Sequence, residues 1–472
     1  MISTSKIKER DEPVTFIIFG ATGDLALLKL IPALFRLFKK GYLSSEFRIV
    51  GFARRPFTNQ EYRALVASSM SEETKVTEDY QKFLQQIAYQ QGQFDEEKTY
   101  RNLMLLLDEL DDKMGSCSHK IFHFAISPFY YETVLTNLNK TGLTISCTDG
   151  SGRTRVLLEK PIGTDGESAE HIQALLSGIF REDQIFRIDH YLAKRGVSDF
   201  LMFRYENPAF ETVLNADFVE EVFIEQFETR TIEGRGGFYD HIGALRDVGQ
   251  NHLLEILALI AMERPRKDSA EAFSLMRAQV LSELIIPDSA AIERKVKRGQ
   301  YKGYLEEEGV APFSNTETYF RIPVFIKSHR WRRVPFVITS GKALLESRAT
   351  IRIIFRRTVE FKSLVDKETR KADMLVFSIQ PESRVEFCER GLKSTRDSYT
   401  CAISTYEEVG VPASTPVDEY ERIYLDALAE DKSIFVSRSE VKAAWKYIDG
   451  IVMAWREKAL VIYKKGSNPD DL

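Results

Sequence analysis

What this 472-residue chain lacks narrows what it can be. It has only four cysteines, Cys117, Cys147, Cys388 and Cys401, and no C-x-x-C pair. That excludes a disulfide-dense scaffold, and so sparse a set in a long chain predicts reduced thiols in a reducing compartment. His119 and His123 near Cys117 read as residues of one strand, not as metal ligands. Neither sign of charge dominates: 65 basic and 70 acidic residues leave a net charge of −5. This excludes a general affinity for nucleic acid or a polybasic membrane contact, and leaves room for a local positive pocket. No apolar run is long: Leu253 to Met262 is interrupted by Glu255 and is too short to cross a bilayer. The opening residues, MISTSKIKERDEP, carry no apolar core, so no secretory signal is read there and a cytoplasmic protein is expected. Internal repeats and low-complexity segments are absent.

What is present organises around two stretches. Val14 to Phe19, VTFIIF, suits a strand buried on both faces of a parallel sheet. Gly20-Ala21-Thr22-Gly23-Asp24-Leu25-Ala26 follows, and then Leu27, Leu28, Leu30, Ile31, Leu34, Phe35 and Phe38 recur at helical spacing up to Gly41. Strand, glycine-rich turn and helix make a dinucleotide cradle. Gly20 and Gly23 let backbone approach a pyrophosphate, and Ala26 lets the helix close on the strand. A tight βα turn with no ligand is the weaker alternative. The next strand, Phe47 to Phe52, lacks a terminal acidic residue to hold a ribose 2′-hydroxyl. It runs into Ala53-Arg54-Arg55, and guanidinium groups suit a 2′-phosphate, so NADP is preferred to NAD. A long polar helical region is expected from about Asn59 to Asp112. A strand over Ile121 to Ser127 and a helix over Tyr130 to Leu138 follow. A short strand, Arg155 to Leu158, ends in Glu159-Lys160-Pro161. A lysine there would sit beside nicotinamide and substrate, or on the surface before a turn. A helix over Ser168 to Phe180 closes the region.

The second stretch is Arg187 to Lys194, RIDHYLAK. If a helix starts near Asp189, then His190, Tyr191 and Lys194 share a face beside unpaired backbone N–H groups, which describes a phosphate socket. The plain alternative is an amphipathic helix start with a solvated lysine and a buried tyrosine. Asp189 would oppose an anion, so its expected task is to orient a second histidine. A strong helix is expected from Val248, with His252 on its apolar stripe. A histidine there is more often a satisfied core residue, but an Asp-oriented imidazole is a general base of fixed tautomer. Strands are expected at Val219 to Thr229, Thr318 to Ile326, Val334 to Thr339, Thr350 to Phe355, Met374 to Gln380 and Val385 to Arg390. Helices are expected at Val197 to Tyr205, Tyr420 to Ala429 and Ser439 to Glu457. A βαβ half followed by many strands predicts α/β then α+β: a Rossmann-like coenzyme domain over 1–182, and an α+β domain with a large, mainly antiparallel sheet over 183–472.

Taken together, GATGDLA at Gly20, GFARR at Gly51, LEKPIG at Leu158, RIDHYLAK at Arg187, EGRGGFYD at Glu233, RDVGQNHL at Arg246, VPFVITSGKAL at Val334 and DEYERIYLDAL at Asp418 resemble the glucose-6-phosphate dehydrogenase family, from about Val14 to about Ala459. The resemblance implies oxidation of carbon 1 of β-D-glucose 6-phosphate to the 6-phospho-lactone, with NADP reduced, by a homodimer or homotetramer. It implies that His252 is the base and that Asp189 orients it. It places His190, Tyr191 and Lys194 on the 6-phosphate, Lys160 between sugar and coenzyme, and Glu228, Asp247 and Lys342 on the sugar side. Gly20, Thr22, Gly23, Asp24, Leu25 and Arg54 fall on coenzyme positions, and Pro161 on a proline coupling the two sites. The chain departs from the family pattern at Ala193, at Arg195, which reverses a charge beside the socket, and at His241. It ends at KKGSNPDDL, short of animal relatives, so their second, structural NADP site is not expected. Two rival readings stand beside this: an enzyme of the same fold for another hexose 6-phosphate or a free sugar, and, outside catalysis, a coenzyme-binding sensor with a relict site.

Overall fold

The structure of the chain, a computed structural model, describes residues 12–44, 46–70, 78–145, 152–267, 269–362, 369–391, 399–406, 417–456 and 458–472. The chain forms two compact units. The first comprises Met1–Gly163, Glu167–His190 and Val417–Arg438; the second comprises Thr164–Gly166, Tyr191–Pro416 and Ser439–Leu472.

In the first unit, β1 (Val14–Phe19), β2 (Phe47–Ala53), β3 (Ile87–Gln91), β4 (His119–Phe124), β5 (Thr154–Leu158) and β6 (Ile185–Ile188) form a parallel sheet. Their order is β6-β5-β4-β1-β2-β3, with Phe435–Val436 added antiparallel to β6. The apolar run of β1 is buried at every position, as a central strand covered on both faces requires. One expectation fails here. The region after Asn59 is not wholly helical, because β3 (IAYQQ) lies between the helices Glu78–Gln85 and Glu97–Met114. Its two glutamines hide it among polar helical residues, and only pairing with β2 makes it a strand.

The expected break at 182 also differs from what is observed. The first unit runs on through β6 to His190 and takes back Val417–Arg438. The returning helix Glu419–Leu428 docks on the first helix through charge: Arg36 and Lys40 both bind the buried Glu421 carboxylate. No local signal announces a segment that returns from more than two hundred residues away.

That helix also carries a pH-sensitive group. Burial raises the Asp426 carboxyl from 3.8 to about 6, against the opposing pull of Arg422. A carboxyl raised on folding stabilises while protonated, and that contribution disappears as the pH climbs through about 6. Asp426→Asn is therefore expected to gain about 2 to 3 kcal/mol near neutral pH and nothing near pH 4. Thermal melts of both proteins at the two pH values would check this; an equal shift at both would contradict it.

In the second unit, β7 (Val219–Phe227), β8 (Leu284–Ile285), β9 (Lys297–Tyr301), β10 (Tyr319–Ile326), β11 (Phe336–Gly341), β12 (Arg348–Lys362), β13 (Thr369–Gln380), β14 (Arg384–Arg390) and β15 (Tyr399–Ser404) build a large mixed, mainly antiparallel sheet. The order is β15-β14-β13-β12-β7-β11-β10-β9, followed by Val461–Tyr463, with β8 beside β10. The pairs β7–β11 and β9 with Val461–Tyr463 are parallel.

The cysteines do not match the expectation of reduced thiols. Cys388 and Cys401 face each other across β14 and β15 and are joined by a disulfide. Cys117 is also disulfide-bonded; Cys147 lies outside the described residues. Cys401 stands 13 positions after Cys388, a spacing that signals nothing until an antiparallel register sets them opposite one another. No helix among the described residues is long and apolar enough to cross a membrane.

Candidate active site

In the first unit, parallel strands deliver their carboxyl ends to one edge of the sheet. Gly20 follows β1, Arg54 follows β2 and Glu159-Lys160 follows β5. This edge is where open α/β sheets bind ligands. Gly20 has φ +81°, and a Cβ there would lie 2.2 Å from the Ala125 carbonyl oxygen. Only glycine meets both conditions. Gly23 N–H donates to the Gly20 oxygen at 2.9 Å, and Gly23 and Asp24 stay exposed at the helix start, with Thr22 and Leu25 half-buried. The turn is tied from behind. Tyr62 donates its hydroxyl to the Ala21 oxygen at 3.0 Å, and its ring fills the space that a Cβ on Gly51 would need. Arg54 is exposed, with its guanidinium 5.9 and 5.8 Å from the ring centres of Phe94 and Tyr130. Among the described residues neither Arg54 nor Arg55 has a carboxylate partner, so both charges remain available for an anion. A glycine cradle too tight for any side chain and a helix start fit a dinucleotide, and an arginine without a carboxylate partner stands at the β2 end.

The helix expected to start at Asp189, near the end of the first unit, is absent. β6 ends at Ile188, turns span the segment to Lys194, and the helix Arg195–Glu206 begins there with Lys194 as its N-cap residue. Lys194 offers no side-chain cap, which is why no sequence signal placed the start correctly. Tyr191 and Lys194 therefore meet through a turn rather than on one helical face. The Lys194 ammonium lies 4.7 Å from the Tyr191 ring centre. The Tyr191 ring stacks on His252, with centroids 4.1 Å apart and planes at 25°, and its hydroxyl donates to Gln380 at 3.1 Å. Arg195 does not leave a loose charge beside the socket: its Nε lies 3.3 Å from the buried Asp199 carboxylate, which also accepts from Ser383.

His252 is 1% exposed. It does not sit on a plain α-helix from Val248. The segment Leu245–Leu253 is a π-helix that continues as the α-helix Leu254–Ala261. The wider turn shifts side-chain phase, and π-turns recur at functional sites.

Lys342 and Glu228 meet because β7 and β11 run parallel with Phe227 opposite Gly341. The next residue of each strand emerges side by side, and Lys342 Nζ donates to Glu228 at 2.7 Å. Beneath them lies Tyr239, which sequence reasoning missed. It is fully buried, with its ring centre 5.4 Å from Lys342 Nζ. Burial, and then the carboxylates of Asp247, Glu317 and Glu228, push its phenol far above the usual range. Nothing in a glycine-rich loop reveals which of two adjacent aromatics, Phe238 or Tyr239, turns inward.

Comparison with known proteins shows the family. Residues 17–199 match the model of the glucose-6-phosphate dehydrogenase NAD binding domain, and residues 201–471 match that of the C-terminal domain. The glucose-6-phosphate 1-dehydrogenase of Borreliella burgdorferi is 34% identical over 466 residues, covering 96% of this chain and 94% of its own. That of Streptococcus pneumoniae is 33% identical, covering 96% and 93%. A solved glucose-6-phosphate dehydrogenase in complex with glucose-6-phosphate superposes with a TM-score of 0.83 at 32% identity, covering 97% of this chain and 95% of that one. Levoglucosan dehydrogenase, at TM-score 0.53 and 11% identity, shares the fold alone. The chain belongs to the glucose-6-phosphate dehydrogenase family and is an oxidoreductase.

Proposed function

We propose that the chain oxidises β-D-glucose 6-phosphate at carbon 1 to 6-phospho-D-glucono-1,5-lactone, with NADP as coenzyme. The observation that carries this is the stack of His252 on Tyr191 beneath the Lys194 ammonium. Within one unit, an imidazole and a cation suited to phosphate both meet the same tyrosine ring, and both relatives named above bear the matching activity in their names. A bound nicotinamide coenzyme would supply the acceptor for the hydride from carbon 1. The protein's own residues do the rest. His252 takes the proton from the carbon 1 hydroxyl as the hydride leaves, and Asp189 keeps the family role of orienting that base. His190, Tyr191 and Lys194 hold the 6-phosphate, which orients the far end of the sugar. Glu228, Asp247 and Lys342 bind sugar hydroxyls, and Lys160 serves sugar and coenzyme together. Gly20, Thr22, Gly23, Asp24 and Leu25 receive the pyrophosphate, and Arg54 the 2′-phosphate. The first unit, including the returning Val417–Arg438, acts as the coenzyme domain and the second as the substrate domain.

Turnover followed at the reduced-nicotinamide absorbance band, with glucose 6-phosphate against glucose, tests the reading. Equal rates on the free sugar would remove the phosphate socket from it. For the coenzyme, Arg54→Ala is expected to raise KM for NADP about tenfold or more, the size of a lost charge-assisted bond, and to leave KM for NAD nearly unchanged. An equal rise for both would reject the 2′-phosphate assignment.

The same proposal includes a homodimer or homotetramer, on the family pattern; a solution mass near the 54.2 kDa of one chain would reject it. It also includes a cytoplasmic location, as for the relative from Arabidopsis thaliana named as cytoplasmic. The Cys388–Cys401 bridge weighs against that location, because such bridges seldom persist in a reducing compartment.

A further inference from the structure

Behind Lys160, inside the first unit, lies a buried histidine that the catalytic scheme leaves unused. His123 sits on β4 opposite Leu157 of β5 and is 0% exposed. Its Nε2 is 3.0 Å from Glu159 Oε1, and its Nδ1 is 3.0 Å from the Tyr424 hydroxyl. A carboxylate only accepts, so Nε2–H donates to Glu159 and Nδ1 accepts from the Tyr424 O–H. Glu159 is held twice more. Tyr131 donates to its main-chain oxygen at 2.6 Å, and the Tyr420 hydroxyl hydrogen-bonds its carboxylate. Burial is the largest cause raising the phenols of Tyr131, Tyr420 and Tyr424, so all three keep their protons to donate.

Glu159 is the residue immediately before Lys160. A backbone rotation that moved Glu159, and with it the main chain from which Lys160 departs, would have to break one of these bonds. A buried carboxylate tolerates such a loss poorly. The network therefore resists displacement at the point from which Lys160 departs.

We propose that His123 and Tyr424 are positioning residues for the reaction: they lock Glu159 at the end of β5 and so set the direction in which Lys160 presents its ammonium. The proposal rests on the role given to Lys160 above. Functional side chains depend on supporting hydrogen bonds of this kind, and a misplacement of about 1 Å can cost up to about a hundredfold in rate. A network kept only for folding would look alike at rest but would behave differently on substitution.

The test uses Tyr424→Phe, His123→Phe and His123→Gln in the full chain, each alone and combined with Lys160→Ala. Tyr424→Phe is the mild variant, since it keeps the edge-on contact with Phe16 at 5.3 Å and removes only the hydroxyl. Tyr424→Phe and His123→Phe are each expected to lower kcat on glucose 6-phosphate about tenfold, and His123→Gln, which still donates and accepts, to recover most of it. In the Lys160→Ala background the same substitutions are expected to change kcat/KM by less than about twofold, because a residue that acts through Lys160 has nothing left to act on. A further loss multiplied onto that of Lys160→Ala would mark the pair as structural and overturn the proposal. So would single variants that retain wild-type turnover. If Lys160→Ala itself leaves turnover intact, the role of Lys160 falls first and the positioning claim with it, whereas multiplied losses remove only the positioning claim.

Discussion

Replacement of His252 by Asn is expected to lower kcat by about a thousandfold, within the hundredfold to ten-thousandfold that general-base catalysis supplies, while sugar phosphate and coenzyme still bind. The substitution is chosen for what it preserves. Asparagine is planar and polar and nearly fills the site, so the stack on Tyr191 loses area without opening a large void. What disappears is the basic nitrogen. Hydride departure from carbon 1 requires the hydroxyl proton to leave with it, and carbonyl and amide groups of Asn cannot take that proton at neutral pH. Steady-state kinetics paired with calorimetric titration of glucose 6-phosphate separate chemistry from binding. Turnover near that of the unaltered protein would take His252 out of the mechanism, and a loss confined to binding would give it a substrate-holding role only.

The second large effect is expected at the glycine cradle. Gly20→Ala should abolish measurable coenzyme binding and destabilise the chain by roughly 3 kcal/mol, the combined scale of a strained left-handed backbone and an overpacked contact. The backbone at Gly20 has φ +81°, and the added methyl would meet the Ala125 carbonyl oxygen, a main-chain atom of the loop after β4 that cannot step aside like a flexible side chain. The turn must therefore move, and the amides proposed to receive the pyrophosphate move with it. Coenzyme titration by nucleotide fluorescence, beside a denaturant melt, reads both consequences. A variant that melts like the original and binds NADP with unchanged affinity would show that the cradle has slack the structure does not.

Much of this was legible in the chain because certain patterns allow one outcome. VTFIIF before Gly20 dictates a buried strand feeding a glycine turn, and the arginines after β2 stand where an NAD site would need a carboxylate. These signals are local, since the periodicity of a strand and the conformational freedom of a glycine are properties of neighbouring residues. The family resemblance added roles that no local pattern contains. Other features were hidden for a physical reason. The helix start at Lys194 has no capping side chain, so composition pointed to Asp189 instead. The π-turn around His252 is a matter of hydrogen-bond register, to which hydrophobic spacing is blind.

By itself, then, the sequence determined the class of fold, the order of the two architectures along the chain, and the residue types able to hold a phosphorylated sugar and a nucleotide. Tertiary structure alone decided which of those residues meet. Glu228 and Lys342 touch because two strands distant in sequence run parallel in register. Cys388 and Cys401 pair because two others run antiparallel. His123 finds Tyr424 because a late helix returns to the first unit. Contacts of this kind depend on chain topology, and topology is a property of the whole fold rather than of any window of residues.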